Sequence, residues 1–225
     1  MRSGICTPPG LMHPHDHPLA DASRHAGDPA VVLSGGRAAR RGVAYRLLMT
    51  CVYVASPFGF SDATRLYYNH VLLQALKDRE IEPIDPWDDP TVEAELKETA
   101  EMPLNETRRE RYRRINDRLG AANATGIERA DAMLAVLDGL DMDSGTAAEI
   151  GFAAGLGKPI VGLRLDTRLA GDNEAAAVNM QVEHFIRSSG GQIVRDVEAA
   201  VNALSGLIVA DPARQPRLSA RAGAA

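Results

Sequence analysis

Two acidic residues, Asp143 and Glu149, lie in the short stretch DSGTAAEIGFA at residues 143–153. Glu149 admits two interpretations. In the first, Thr146 and Glu149 form a capping box, in which each side chain accepts a hydrogen bond from the other's free backbone N–H at the start of a helix. In the second, Glu149 is a nucleophile that attacks an electrophilic carbon and forms an ester. The secondary structure predicted around this stretch is needed to choose between the two interpretations.

From about residue 50 the chain alternates between apolar strand-like runs and helical periodicity. The predicted strands are CVYVAS, IEPID, AMLAVLDG, KPIVGLRL and QIV. The predicted helices cover 62–79, 105–128, 146–155, 178–188 and 196–209, and the acidic residues 91–104 are expected to be largely irregular, with at most a short helix. In the first helix the apolar face is expected at Leu66, His70, Val71, Leu73 and Leu76. The alternation predicts a three-layer α/β fold, with a parallel sheet of about five strands and helices on both faces.

Polar loops follow the first three predicted strands, with the sequences ASPFGF, DPWDD and DGLDMDSGT. The carboxyl ends of parallel strands meet at one edge of a sheet, and ligands bind beyond that edge. We therefore expect one ligand site to which all three loops contribute. The side chains expected to converge there are Tyr53, Phe58, Asp85, Trp87, Asp138, Asp143 and Glu149.

The composition fits one globular domain with extensions. The chain has 225 residues, of which 45% are hydrophobic. Residues 1–47 are rich in proline and glycine and are expected to be a disordered extension, ahead of an α/β domain at 48–210 and a flexible tail at 211–225. A net charge of −5 argues against nucleic-acid polymers and membrane surfaces as partners. Cys6 and Cys51 form no paired motif, which favours reduced thiols and a cytoplasmic location.

Three segments resemble the nucleoside 2-deoxyribosyltransferases and their N-glycosidase relatives. They are YVASPF at 53–58, ADAMLAVLDGLDMDSGTAAEIGFAAGLGKPI at 130–160, and Asn179 with Met180. The resemblance covers about residues 50–185 and implies a flavodoxin- or Rossmann-like sheet. It also implies that Glu149 forms a covalent glycosyl ester, which a second base displaces with net retention. The predicted place of Glu149 in the first helical turn favours its ionised form, and the chemistry implies no metal or other cofactor.

The resemblance assigns roles to the residues around the nucleophile. Tyr53 is expected to donate a hydrogen bond to the catalytic glutamate and orient it. Asp143 is expected to bind the sugar hydroxyls, while Ser144 and Gly145 leave room for the sugar and supply donors. Phe58 is expected to form a wall of the base pocket.

Two further positions concern the proton and the subunits. The resemblance places Asn123 where the best-known members carry an aspartate that shares a proton with the base, and an asparagine does not titrate. Asn123 is therefore a catalytic candidate that cannot itself act as the general acid. Asp85 or Asp88 is an alternative proton donor near the substrate. Asn179 is expected to reach the sugar site of a neighbouring subunit, which implies a homodimer or a larger homo-oligomer.

The favoured function is exchange of the base of 2′-deoxynucleosides through a deoxyribosyl–Glu149 ester. A first alternative is an N-glycosidase that hydrolyses a nucleoside or a nucleoside 5′-monophosphate, with Ser56, Ser61, Thr64 and Arg65 as a candidate phosphate pocket. A second alternative is a nucleotide-sensing domain without catalysis. The expected partners are small nucleosides and nucleobases, and nucleotides enter only with the two alternatives.

Overall fold

A computed structural model describes residues 50–210 of the chain. The expectations for residues 1–47, for residues 211–225 and for Cys6 lie outside the described residues. The division of the chain into an extension, a domain and a tail therefore stays a prediction.

A parallel sheet of five strands forms the centre of the described region. Its strands are β1 (Thr50–Ala55), β2 (Ile81–Ile84), β3 (Ala132–Val136), β4 (Ile160–Leu163) and β5 (Ile193–Val194). The strand order is β2-β1-β3-β4-β5, and every neighbouring pair is parallel. The predicted α/β fold, with its parallel sheet of about five strands, is therefore confirmed.

Helices connect the strands on both faces of the sheet. After β1 come a 3₁₀ turn (Pro57–Phe60), α1 (Asp62–Tyr67), a π turn (Tyr68–Leu72) and α2 (Leu73–Lys77). The later helices are α3 (Pro90–Glu101), α4 (Glu106–Arg129), α5 (Ser144–Gly155), α6 (Met180–Ser188) and α7 (Val197–Ala210). Within residues 50–210, none of these helices is long and apolar enough to cross a membrane.

The alternation of side chains along β1 builds two apolar layers. Val52 and Val54 face the layer formed with the first helical connection and α7. Tyr53 and Ala55 face the opposite layer, which contains residues of α4, α5 and α6. Successive side chains of a strand point to opposite faces, so Tyr53 is directed toward the helices that carry Asn123 and Glu149.

The predicted apolar face of the first helix is partly wrong, because a π turn interrupts that helix. Tyr68 and Leu72, at the two ends of the π turn, are fully buried. Leu66, which was expected on the apolar face, is 63% exposed. A π turn contains more residues than an α-helical turn and therefore shifts the side chains that face the core.

Helix α3 occupies a segment that was expected to be largely irregular, so that prediction is wrong. Asp89 caps the helix, since its Oδ1 accepts hydrogen bonds from the backbone N–H of Thr91 at 3.0 Å and of Val92 at 3.1 Å. Pro90 takes the first helical position, where a missing N–H costs nothing. This cap was readable from the sequence, but the acidic composition obscured it.

Helix α5 begins at Ser144, two residues before the predicted start. Asp143 is its cap, because the backbone N–H of Thr146 donates to Asp143 Oδ2 at 2.7 Å. The capping-box interpretation of Thr146 with Glu149 is therefore wrong. At 3.6 residues per turn, Glu149 lies in the second turn rather than in the predicted first turn.

Candidate active site

A cavity of about 410 Å³ opens at the carboxyl edge of the sheet, a volume within the usual range for small-molecule sites. It lies where the strand order reverses between β1 and β3, the position at which doubly wound sheets bind ligands. Ser56, Trp87 and Gly145 line it from the segments after β1, β2 and β3. Leu96 of α3 and Leu119 of α4 add an apolar side.

Glu149 lines this cavity with one carboxylate oxygen already held. The Tyr53 hydroxyl donates to Glu149 Oε1 at 2.7 Å, and Asn123 Nδ2 donates to the same oxygen at 3.3 Å. Gly126 lets α4 approach closely, because a Cβ at that position would lie 3.1 Å from the Tyr53 ring. Among the described residues both bonds end on Oε1, so Oε2 is the oxygen available to a ligand.

The electrostatic setting of Glu149 differs from the expectation for a first helical turn. Burial raises the pKa of Glu149, the negative charge of Asp143 raises it further, and the Tyr53 hydrogen bond opposes the rise. Burial and the adjacent carboxylate also raise the pKa of Tyr53 far above its ordinary value. Tyr53 therefore stays protonated and acts as a donor to Glu149.

The raised pKa of Glu149 has a consequence for stability. When the pKa of a carboxyl group is higher in the folded than in the unfolded chain, the free energy of unfolding of the protein falls as pH rises between those two values. Replacing Glu149 by Gln is therefore expected to raise the free energy of unfolding at neutral pH, because the amide oxygen still accepts the bonds from Tyr53 and Asn123 without a charge. The gain should vanish near the ordinary glutamate pKa of about 4.3. Urea unfolding of the parent and of Glu149→Gln at both pH values measures this gain. Equal free energies of unfolding at neutral pH would contradict the prediction.

Asp143 and Gly145 line the cavity, whereas Ser144 does not. Asp143 Oδ2 accepts both the backbone N–H and the hydroxyl of Thr146, at 2.7 and 3.0 Å. A Cβ at Gly145 would lie 3.1 Å from that oxygen, so the glycine permits the close approach. Asp143 therefore caps α5 and also presents its carboxylate to the cavity.

The structure places Phe60, rather than Phe58, at the cavity. Phe58 is 8% exposed and packs edge-on against Tyr67 in the core, with ring centres 6.1 Å apart. Phe60 is 73% exposed and meets Trp87 edge-on at 4.6 Å, and both rings line the cavity. Phe60 and Trp87 thus provide the aromatic wall that was expected from Phe58.

Asp85 and Asp138 lie at the expected edge but do not line the cavity. Asp85 Oδ1 accepts the Tyr68 hydroxyl at 2.7 Å and the Trp87 backbone N–H at 2.9 Å. Asp138 Oδ1 accepts the backbone N–H of Leu165 at 2.6 Å and so ties the loop after β3 to the loop after β4. Both carboxylates hold loops in place.

Asn179 stands outside the cavity of its own chain. It caps α6, with its Oδ1 accepting the backbone N–H of Gln181 at 3.0 Å, and it is exposed. The structure therefore does not bring Asn179 to Glu149 within one chain. A contact with a neighbouring subunit stays a prediction.

Sequence reasoning missed Asn116, Leu119 and the residues of α3 that line the cavity. Asn116 precedes Asn123 by seven residues, which is about two helical turns and therefore one face of α4. That spacing is a signal from which Asn116 could have been found. Val92 and Leu96 carried no comparable signal, because their segment was not recognised as a long helix.

The cavity carries more negative than positive charge. Among its lining residues one is cationic, Arg65, against four carboxylates. The carboxylates are Asp89, Glu93, Asp143 and Glu149. Of the candidate phosphate pocket, Ser56 and Arg65 line the cavity, whereas the hydroxyls of Ser61 and Thr64 bond each other at 2.9 Å. Within residues 50–210 no three His, Cys, Asp or Glu side chains are grouped to hold a metal ion.

Comparison with solved structures finds similar chains of low identity. A conserved protein from Enterococcus faecalis V583 is 22% identical, with 70% of this chain and 98% of that chain covered and a TM-score of 0.49. A 2-deoxyribosyltransferase from Bacillus psychrosaccharolyticus is 21% identical, covering 68% and 91%, with a TM-score of 0.46. A CMP N-glycosidase from Clostridium botulinum is 17% identical, covering 69% and 98%, with a TM-score of 0.42. No curated protein sequence matches this chain.

The family model described as nucleoside 2-deoxyribosyltransferase matches residues 52–204, well over half of the chain. The matched range contains the hydrogen-bonded group of Tyr53, Asn123 and Glu149 as well as Asp143. The chain therefore belongs to the nucleoside 2-deoxyribosyltransferase family.

Proposed function

We propose that the protein exchanges the base of 2′-deoxynucleosides through a covalent ester between deoxyribose and Glu149. The observation that carries the proposal is the carboxylate of Glu149 in the cavity, with Oε1 held by Tyr53 and Asn123 and Oε2 left to react. Orienting a nucleophile in this way removes much of the entropic cost of its attack.

The proposed reaction has two displacements at the anomeric carbon. First, Glu149 Oε2 forms a bond to C1′ while the C1′–N glycosidic bond breaks, and the departing base keeps the electron pair and takes up one proton. Next, a second base loses one proton, its nitrogen attacks C1′, and Glu149 leaves as a carboxylate. Two inversions give net retention, and exchange consumes no net proton.

The cavity composition favours a neutral nucleoside over a nucleotide. Four carboxylates and one guanidinium among the lining residues oppose the entry of a phosphate, which carries between about −1.5 and −2 charges at neutral pH. The apolar side formed by Leu96 and Leu119 suits the flat face of a base, and the amides of Asn116 and Asn123 suit its polar edge.

The acceptor test separates transfer from the other functions. The protein is incubated with a 2′-deoxynucleoside, with and without a different free base, and the products are resolved by chromatography. A new deoxynucleoside that forms only with the acceptor supports the proposal. Free base and free sugar at the same rate with or without the acceptor indicate hydrolysis, and unchanged substrate indicates a domain without catalysis.

Hydrolysis of a nucleoside 5′-monophosphate is the second candidate, and Arg65 is the observation that favours it. Its guanidinium lies 5.7 Å from the centre of the Trp87 ring, and Arg65 is the one cation among the residues that line the cavity. A guanidinium binds phosphate oxygens in a bidentate manner. If this candidate is correct, cleavage of the monophosphate should exceed cleavage of the nucleoside, and Arg65→Ala should reverse that preference.

The activity is expected to fall on the acid side as Glu149 becomes protonated. Because burial raises the pKa of Glu149, the midpoint should lie above the ordinary glutamate value of about 4.3. Tyr53→Phe should move the midpoint to higher pH, since it removes the bond that stabilises the carboxylate. Asp143→Asn should move it to lower pH, since it removes a neighbouring negative charge. Profiles of kcat/KM against pH measure both shifts, and a midpoint that is unchanged in both variants would assign the titration to another group.

A further inference from the structure

Trp87 is the single tryptophan of the chain, and it stands at the cavity. Its indole Nε1 donates to the backbone carbonyl of Ser56 at 3.1 Å, which fixes the ring against the segment after β1. Phe60 meets the ring edge-on, and the Arg65 guanidinium lies over the ring, 5.7 Å from its centre. The indole is thus held from several directions at the cavity while remaining only half-buried.

Gly59 shows how closely the indole fits its surroundings. A Cβ at position 59 would lie 2.1 to 2.6 Å from ring atoms of Trp87, which is shorter than any normal contact. The ring therefore occupies space that only a glycine leaves open. Such a fit indicates one defined orientation for Trp87 rather than a choice among rotamers.

The buried Tyr68 and the half-buried Asp85 form a hydrogen-bonded pair that holds the backbone of Trp87. Asp85 Oδ1 accepts the backbone N–H of Trp87 at 2.9 Å and the hydroxyl of Tyr68 at 2.7 Å. Tyr68 is fully buried and lies in the π turn, from which its hydroxyl reaches Asp85, the residue that follows β2. Burial and the charge of Asp85 raise the pKa of Tyr68, so it remains a donor.

We propose that Trp87 is the surface on which the nucleobase stacks, and that Tyr68 and Asp85 are positioning residues that hold it there. The inference rests on the proposed function and adds to it an aromatic surface for one face of the base, besides the apolar side formed by Leu96 and Leu119. Stacking on an aromatic ring accepts every base, because each has a π face. Discrimination among bases then falls to polar groups at the base edge, for which Asn116 and Asn123 are placed on the same face of α4.

The same geometry separates Asp85 from the role of proton donor to the departing base. Its Oδ1 is occupied by two donors, and its side chain does not line the cavity. An asparagine at position 85 keeps an oxygen that accepts both bonds but has no proton to give. Asp85→Asn and Asp85→Ala therefore distinguish positioning from acid catalysis.

Intrinsic fluorescence tests the stacking directly, because all tryptophan emission comes from position 87. In the Glu149→Gln variant, adenine and cytosine are titrated separately and the Trp87 emission is followed, with 2-deoxyribose as the control ligand. Saturable quenching by the bases and none by the sugar is expected. Binding of a base by equilibrium dialysis without a change in emission would overturn the inference. Because no turnover is needed, a result in either direction is independent of whether the parent chain transfers, hydrolyses or does neither.

Kinetics supply the second arm of the test. Trp87→Ala should raise KM for the acceptor base about ten-fold or more, with a smaller effect on kcat, as expected for a lost stacking contact. Trp87→Phe, which retains a flat ring, should recover part of that loss. If the parent enzyme transfers the sugar and Trp87→Ala leaves KM for the base unchanged, the stacking inference is overturned while the proposed function stands.

The positioning residues are tested with matched variants. Tyr68→Phe and Asp85→Ala should both shift the Trp87 emission and raise KM for the base, whereas Asp85→Asn should stay close to the parent in both measurements. Tyr67→Phe is the control for the loss of a tyrosine hydroxyl. Tyr67 is the neighbouring tyrosine, and its ring packs on Phe58. A large fall in kcat with unchanged KM and emission in Asp85→Asn would make Asp85 an acid and overturn its positioning role.

Discussion

Replacing Glu149 by Gln is expected to lower the rate of base exchange by at least about two orders of magnitude, as for the loss of a covalent nucleophile. The glutamine oxygen still accepts the hydrogen bonds that Tyr53 and Asn123 now donate to Oε1, so the shape of the site is retained. An amide, however, does not form the sugar ester. The loss should therefore appear in kcat, while the affinity for free base is preserved.

Initial rates of formation of the new deoxynucleoside measure this effect, and the trapped ester provides a second readout. Mass spectrometry of the parent enzyme quenched during turnover should locate the deoxyribosyl adduct on Glu149. Glu110→Gln serves as the control, because Glu110 is an exposed residue of α4 that pairs with Arg113. Near-parental turnover in Glu149→Gln, or an adduct on another residue, would end the assignment.

The sheet and the place of Glu149 at its ligand edge were predictable from the sequence, because both depend on local patterns. Apolar runs separated by helical periodicity are sufficient to predict a parallel sheet, and the ends of its strands define the ligand edge. Tyr53 and Glu149 lie 96 positions apart in the chain, yet the fold pairs a β1 side chain with an α5 side chain. Their pairing followed from the resemblance together with the common sheet edge.

The walls of the cavity were not predictable, because they depend on rotations that a sequence does not specify. Phe58 and Phe60 belong to one 3₁₀ turn, in which each residue advances by about 120° around the axis, so only a structure shows which ring faces the cavity. Tyr68 likewise reaches Asp85 through a π turn that simple helical periodicity does not reveal. The raised pKa of Glu149 depends on burial and on the charge of Asp143, and the helix start that was expected to favour the ionised form lies one turn away.

Mixing two impaired variants is expected to restore activity if Asn179 acts on a neighbouring subunit. Asn179 is exposed and lies outside the cavity of its own chain, so a role in binding sugar requires a partner chain. Asn179→Ser retains an oxygen that caps α6 but removes the amide donor. The loss of one hydrogen bond to the sugar should lower kcat/KM about ten-fold or more.

Co-expression of Asn179→Ser with Glu149→Gln, followed by purification through two different tags, gives the mixed oligomer. A site works fully when its own chain keeps Glu149 and the adjacent chain keeps Asn179, and in a mixed dimer selected by both tags this holds for about one half of the sites. Recovery to roughly that fraction of the parental rate, above the sum of the two separate variants, therefore indicates a shared site. Mixed oligomers that form without recovery, or a fully active monomer in sedimentation experiments, would restrict Asn179 to capping α6, and each chain would then have to bind the sugar with its own residues, Asp143 foremost among them.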